Sequence, residues 1–265
     1  MLGFDYQRPK TLDEAARLLA AAGEGKALAG GQTLLASMKL RLASPDTLVD
    51  LKGIAGLDQI EKKGDALVIG ALARHALVAG SPVVKGAIPA LAALAGGIGD
   101  VQVRNRGTIG GSLANSDPAA DYPAAVLGLG ATIVTSKRQI AADAFFTGMF
   151  TTALEPGELI ASVSFPIPRR AAYMKFPNPA SHFAVVGAFV AETPSGIRVG
   201  ITGAAPHAFR WAAAEAALAK TFAAKALDGV AVPALDYMSD LHSDARYRAS
   251  LVATMTKRAV AAAAV

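Results

Sequence analysis

The stretch Val103-Arg104-Asn105-Arg106-Gly107-Thr108-Ile109-Gly110-Gly111-Ser112-Leu113-Ala114-Asn115 sets two arginines, three glycines and a run of small hydroxyl and amide side chains into thirteen positions. Residues of this kind make an anion cradle: glycine lets backbone N–H groups approach a phosphate, arginine brings charge, and serine or threonine adds donors. The same Gly-Gly serves equally well in a tight turn between two strands. A second glycine stretch, Ala29-Gly30-Gly31-Gln32-Thr33, follows the apolar run Lys26-Ala27-Leu28-Ala29 and precedes a helical pattern of Leu34, Leu35, Met38 and Leu42. A loop between a strand and a helix start presents free amides and the positive end of the helix dipole. It is neither the Gly-x-Gly-x-x-Gly fingerprint nor a phosphate loop ending in Gly-Lys-Ser/Thr, and a plain turn uses the same residues. Taken as a pair, the two loops suit a ligand with adjacent phosphates held from both sides, as in a dinucleotide. Arg104 and Arg106 either touch that ligand or, the preferred reading, brace the loop by pairing with Asp100 or Asp117.

Directly after the first stretch, Asn115-Ser116-Asp117-Pro118-Ala119-Ala120-Asp121 offers amide and carboxylate groups for ribose hydroxyls or a flavin ring edge. Alternatively Asp117 caps a helix with Pro118 at its first position; Asp121, one turn on, shares that side in either case.

Around these motifs the chain reads as mixed helix and strand. Thr11-Leu12-Asp13-Glu14 is a capping box before an apolar period ending at Gly23. Strands are expected at 26–29, 47–51, 57–61, 66–70, 131–135 and 159–166, with a turn at Lys62-Lys63-Gly64-Asp65. Helices are expected from Ser81-Pro82 to Ala95 and from Pro118 to Leu127. Pro166, Pro168, Pro177 and Pro179 mark a linker, followed by a hairpin (182–192, 196–203), a helix over Phe209–Lys220, and a long helix capped by Ser243 or Asp244. Aromatic residues flanking the linker, Tyr173 and Phe176, together with His182, read as packing or as neighbours of a cofactor.

Composition narrows the function. Of 265 residues 52% are hydrophobic and 18% charged, which describes a globular chain with a large core. There is no cysteine, hence no disulfide, thiolate-ligated cluster or cysteine nucleophile in this chain. The net charge of +5 is dispersed rather than gathered into a basic patch, so no nucleic-acid partner is expected. No apolar run reaches the length of a membrane span. The first ten residues lack the basic and apolar regions of an export signal, so the cytoplasm is the expected location. His75, His182, His207 and His242 show no metal-ligand spacing, and no residue is assigned as catalytic or as a metal ligand.

Together the two loops, with Arg41-Leu42 and Leu48-Val49-Asp50-Leu51 after the first, resemble the FAD-binding medium subunits of the molybdenum hydroxylases, the carbon monoxide dehydrogenase and xanthine dehydrogenase family. Phe4-Asp5-Tyr6 with Arg8-Pro9, Asp143 with Phe145-Phe146, Ser243 with Tyr247-Arg248, and Arg258-Ala259 extend the resemblance along nearly the whole chain. It implies an α+β protein: a PCMH-type FAD-binding fold of two α/β subdomains (1–55 and 56–168) and a C-terminal flavoprotein domain (169–265) with a small antiparallel sheet and helices. It also implies that Ala29, Gly30, Gly31, Gln32 and Thr33, with Thr108, Ile109, Gly110, Gly111 and Ser112, hold the FAD diphosphate. Asn115 and Asp121 follow in the cofactor-contacting segment, Ile160 packs by the flavin and Lys175 lies at its edge. The implied role is electron transfer through non-covalent FAD, between iron–sulfur clusters of a small subunit and an external acceptor. A large subunit carries the molybdenum cofactor, in a heterotrimer that is itself expected to dimerise. A self-contained flavin-dependent oxidoreductase is the alternative. After Tyr173-Met174-Lys175-Phe176 the chain departs from many relatives, with Asn178-Pro179 and Ser181-His182 in place of an Arg and an Asp, which bears on any ion pair tuning the flavin.

Overall fold

A computed structural model of the chain describes residues 1–264. The N-terminal unit is β1 (Asp5–Gln7), α1 (Leu12–Ala21), β2 (Gly25–Leu28), α2 (Leu34–Lys39) and β3 (Thr47–Asp50), its strands forming a parallel sheet in the order β1-β3-β2. Thr11 caps α1 by accepting the Glu14 amide at 3.2 Å. The expected apolar face running to Leu42 is not realised: α2 stops at Lys39, only Met38 of it is buried, and Leu42 is 78% exposed. Arg41, in a left-handed conformation (φ +60), turns the chain out of the helix.

The middle third begins with the hairpin β4 (Ile60–Lys63) and β5 (Ala66–Gly70), then passes through six helices: α3 (His75–Gly80), α4 (Pro82–Ala87), α5 (Pro89–Gly96), α6 (Val101–Arg106), α7 (Ile109–Asn115) and α8 (Tyr122–Leu129). It returns through β6 (Thr132–Thr135), β7 (Gln139–Ala141), the small pair β8 (Phe146–Gly148) and β9 (Thr151–Thr152), and β10 (Ile160–Pro166). An antiparallel sheet results in the order β4-β5-β10-β6-β7. Three expectations are corrected. The single helix over 81–95 is two, because Pro89 cannot continue the first and instead opens the second. The helix expected from Pro118 starts at Tyr122, since the Asp117 carboxylate accepts the Ala119 amide at 2.9 Å and holds Pro118 in a turn. The opening stretch is neither strand nor hairpin: Asp100 and Thr108 cap two successive helices, accepting the amides of Val103 (2.8 Å) and Gly111 (3.2 Å).

The last third is an antiparallel sheet, β11 (Arg170–Pro177), β12 (Ala184–Thr193), β13 (Gly196–Thr202) and β14 (Phe209–Arg210), packed against α9 (Ala212–Lys220) and α10 (Ala245–Ala263). The expected linker is therefore a strand. Pro168 and Pro179 flank β11, which ends at Pro177 and pairs with β12 along its whole length. Helix α9 begins three residues later than expected because Phe209–Arg210 forms an edge strand. Asp244 caps α10, accepting the Tyr247 amide at 2.7 Å. Arg248, 3% exposed, ties that helix to the sheet through the carbonyls of Val185 and Gly203.

Candidate functional site

The glycine loops meet. A Cβ at Gly30 would fall 2.3 Å from the Arg106 carbonyl oxygen and 2.9 Å from Gly107 Cα, so two segments seventy-odd positions apart touch backbone to backbone. Gly31, at φ +78, makes the turn that leads into α2. Among the described residues, the backbone N–H groups of Gly30, Gly31, Gln32 and Thr33 donate to no protein acceptor. Consecutive free amides in a glycine turn form a concavity suited to an anion.

The second loop is built differently. Its amides are already engaged: Ile109 with Ala73 O (3.1 Å), Gly110 with Ala71 O (2.8 Å), Gly111 with Thr108 Oγ1 (3.2 Å) and Ser112 with Thr108 O (3.0 Å). Ile109 is fully buried in the core. What this side offers is close approach, an ideal Cβ on Gly111 lying 3.6 Å from Ala29 Cβ. It also offers the half-buried side chains of Ser112 and Asn115, one helical turn apart on α7. The cradle is thus asymmetric: amides from 30–33, shape and side-chain donors from 108–115.

Arg104 braces the loop, though not through the partners expected, while Arg106 is exposed. Asp100 and Asp117 are occupied as helix and turn caps. Arg104 Nη1 instead donates to the carbonyls of Ile98 (3.0 Å) and Gly99 (3.1 Å), fixing the turn before α6.

Asp121 and Lys175 are brought together from sequence positions 54 apart, Nζ to Oδ1 2.9 Å, their side chains 2% and 12% exposed. Tyr173 donates its hydroxyl to the same Oδ1 at 2.6 Å. Burial pushes the Asp121 carboxyl above its ordinary range, against the attraction of Lys175 and the hydrogen bonds from Lys175 and Tyr173. Lys175 also donates to Gly97 O and His182 O, each at 2.9 Å, so all three of its N–H bonds are used. The departures at 178–182 therefore leave an ion pair in place. Asn178 Oδ1 accepts the amides of Ala180 and Ser181, and the turn delivers His182, at φ +60, so that its carbonyl meets Lys175 and its Nδ1 lies 3.3 Å from Gly99 O. Ile160, 5% exposed, opens β10, the strand against which α7 packs.

His75 carries no signal in the sequence, yet it lies under the second loop. Its backbone N–H donates to Gly107 O at 2.9 Å, and a Cβ on Gly107 would fall 2.5 Å from His75 Nε2. Its ring lies 5.3 Å from that of Tyr122, and neither His75 Nδ1 nor the Tyr122 hydroxyl has a hydrogen-bond partner among the described residues. Burial, with a smaller contribution from the Arg104 charge, lowers the His75 pKa from 6.5 to about 4. The folded state thus prefers the neutral ring. The stabilisation is fully present above pH 6.5 and is lost as pH falls toward 4, about 3 kcal/mol at most. The melting temperature of a His75→Gln variant is expected to vary less with pH than that of the wild type between those limits; parallel curves would refute the assignment.

A glycine turn whose amides meet no protein acceptor among the described residues, closed against a second glycine segment in an α+β fold, has the chemistry that suits a phosphate-bearing cofactor. The chain belongs to the FAD-binding medium subunits of molybdenum-hydroxylase-type dehydrogenases, an oxidoreductase family; residues 2–168 match the model described as FAD binding domain in molybdopterin dehydrogenase. It is 36% identical to the carbon monoxide dehydrogenase medium chain of Hydrogenophaga pseudoflava over 98% of this chain and 96% of that one. It is 34% identical to the nicotine 6-hydroxylase medium subunit of Paenarthrobacter nicotinovorans over 96% and 95% respectively. A solved structure of the Hydrogenophaga pseudoflava enzyme, lacking the Mo-pyranopterin moiety of its molybdenum cofactor, superposes with a TM-score of 0.92 at 38% identity. That match covers 99% of this chain and 97% of the other. Among the described residues no helix is long and apolar enough to cross a membrane.

Proposed function

We propose that this chain binds one FAD non-covalently and passes electrons between iron–sulfur clusters of a small partner subunit and an external acceptor, within a heterotrimer whose large subunit carries the molybdenum cofactor. The observation that supports it best is the row of unpartnered amides at Gly30, Gly31, Gln32 and Thr33, closed against Arg106 and Gly107. In this reading the amides of Ala29–Thr33 take the diphosphate. Thr108, Ile109, Gly110 and Gly111 form the opposite wall by close approach, and Ser112 and Asn115 add side-chain donors. Asp121, Ile160 and Lys175 line the remainder. Residues 1–55 and 56–168 form the two halves of the cofactor site and 169–265 the domain that presents Lys175. FAD, when bound, supplies the redox chemistry; the protein positions it and tunes its surroundings. The zero cysteine count accords with metal clusters residing on other subunits.

The test is purification of the full chain with its native partners, with flavin absorbance and subunit masses recorded. The expected result is one FAD per copy of this chain and two co-purifying subunits. A chain that gains no flavin after FAD addition overturns the cofactor assignment. Turnover of a small substrate by the isolated chain overturns the subunit role.

A further inference from the structure

Strands β11 and β12 place Lys175 opposite Gly187 and Tyr173 opposite Phe189. The Tyr173 ring lies on that of Phe189, centroids 6.2 Å apart and planes 29° from parallel. Its hydroxyl leans over the neighbouring position, where a Cβ on Gly187 would fall 2.3 Å from the hydroxyl oxygen and 2.9 Å from Cζ. Any residue other than glycine at 187 therefore displaces this ring. The notch lets the hydroxyl reach Asp121 Oδ1 at 2.6 Å, the same oxygen that Lys175 meets at 2.9 Å. Asp121 is too deeply buried for water to replace a lost donor, and Lys175 is held in place by the carbonyls of Gly97 and His182.

We propose that Tyr173, reaching through the notch at Gly187, is a positioning residue that keeps Asp121 ionised against Lys175 and thereby sets the charge this chain presents to FAD. The inference rests on the reading that Asp121 and Lys175 lie at the cofactor. The groups facing Asp121 are few. From β11 come Lys175 and Tyr173. From α8 comes Tyr122, whose buried hydroxyl has no hydrogen-bond partner among the described residues. From β13 comes Thr202, whose hydroxyl already donates to the carbonyls of Pro118 and Ala120. His75 of α3 lies against Tyr122. Of these, Lys175 and Tyr173 are the two that donate to the carboxylate. Removing the phenol leaves a buried carboxylate with one side-chain donor in place of two, and such a group takes up a proton at higher pH.

The experiment measures the FAD dissociation constant against pH for the full-length protein and its Tyr173→Phe, Gly187→Ala and Asp121→Asn variants. The wild type is expected to change less than about twofold from pH 8 to pH 6, and Asp121→Asn to bind about tenfold more weakly with no pH dependence. Tyr173→Phe is expected to lie near the wild type at pH 8 and to approach the Asp121→Asn value by pH 6, a rise of about tenfold. Gly187→Ala, by displacing the ring, should follow it. A Tyr173→Phe curve parallel to the wild type, at whatever offset, overturns the proposal, because lost packing weakens binding equally at every pH. A wild type that binds no FAD overturns the underlying cofactor reading instead, and the two failures are told apart by that control.

Discussion

Replacing Gly111 with valine is expected to remove FAD from the protein while leaving the fold standing. A Cβ there lies 2.9 Å from Thr108 Oγ1 and 3.6 Å from Ala29 Cβ, and the two γ-methyls extend into the gap between the loops. The cost to the fold is small. Valine in the first turn of α7 is a slightly better helix former than the glycine it replaces, and a disturbed Thr108 cap costs about 1 kcal/mol. In a chain of this size that lowers the melting temperature by roughly 2–4 °C. The cost to the site is larger, because backbone approach is what this side contributes: an increase in the FAD dissociation constant of at least about 100-fold, or roughly 2.7 kcal/mol. Absorbance of the purified variant with a melting curve beside it separates the two effects. Stoichiometric FAD in Gly111→Val would place the cofactor elsewhere. Gly30→Ala makes a useful contrast, since its Cβ meets backbone rather than a rotatable hydroxyl; both binding and stability should suffer.

The second large effect belongs to Lys175→Met. It strands the Asp121 carboxylate, 2% exposed, with Tyr173 as its remaining side-chain donor, and unties Gly97 and His182 in the same step. Breaking a buried pair by removing one partner costs about 3–5 kcal/mol, which in a chain of this length is a drop in melting temperature of roughly 6–20 °C. The sign with pH is fixed by Asp121. Its pKa is already raised in the folded state by burial, and loss of the lysine raises it further, so the native variant holds that proton more tightly than the unfolded chain does. Lowering the pH through the folded-state pKa therefore narrows the deficit relative to wild type. Adding Asp121→Asn should recover part of the loss at neutral pH. Denaturant midpoints for the single and double variants at two pH values decide the matter; a single variant within about 1 kcal/mol of wild type would mean the pair is not held as described.

Much of this was readable from local pattern. The capping box at Thr11–Glu14, the cap at Asp244 and the strand at 47–51 involve residues within a few positions of each other. The loop at 29–33 declared itself by a strand before it and a helical period after it. Where reading failed, distant partners decided. Pro166 to Pro179 resembles a linker until Ala184–Thr193 is available to pair with its centre. Leu42 fits a helical period, but the chain leaves the helix first. The glycines at 110 and 111 stand out in the sequence, whereas the engagement of the 109–112 amides depends on Ala71, Ala73 and Thr108. Lys175 could be placed by family resemblance. Its grip on Gly97, 78 positions earlier, could not.

The small size of the N-terminal unit has a consequence for dynamics. Its buried cluster is Ala15, Val49, Leu51 and Leu159, the last contributed by the segment leading into β10, and Leu28, Met38 and Leu48 are its other large buried apolar side chains. The unit meets the helices beyond where Gly30 touches Arg106 and Ala29 faces Gly111. So little apolar burial leaves this unit at the low end of local opening energies. A ligand seated on the 30–33 amides and the 108–115 wall spans the joint, and each opening then requires its release. At a thousandfold excess over the dissociation constant that adds about 4.1 kcal/mol to the opening cost. Amide hydrogen exchange in β2 and β3 should slow accordingly when FAD is added, making the cofactor a clasp on the first fifty residues.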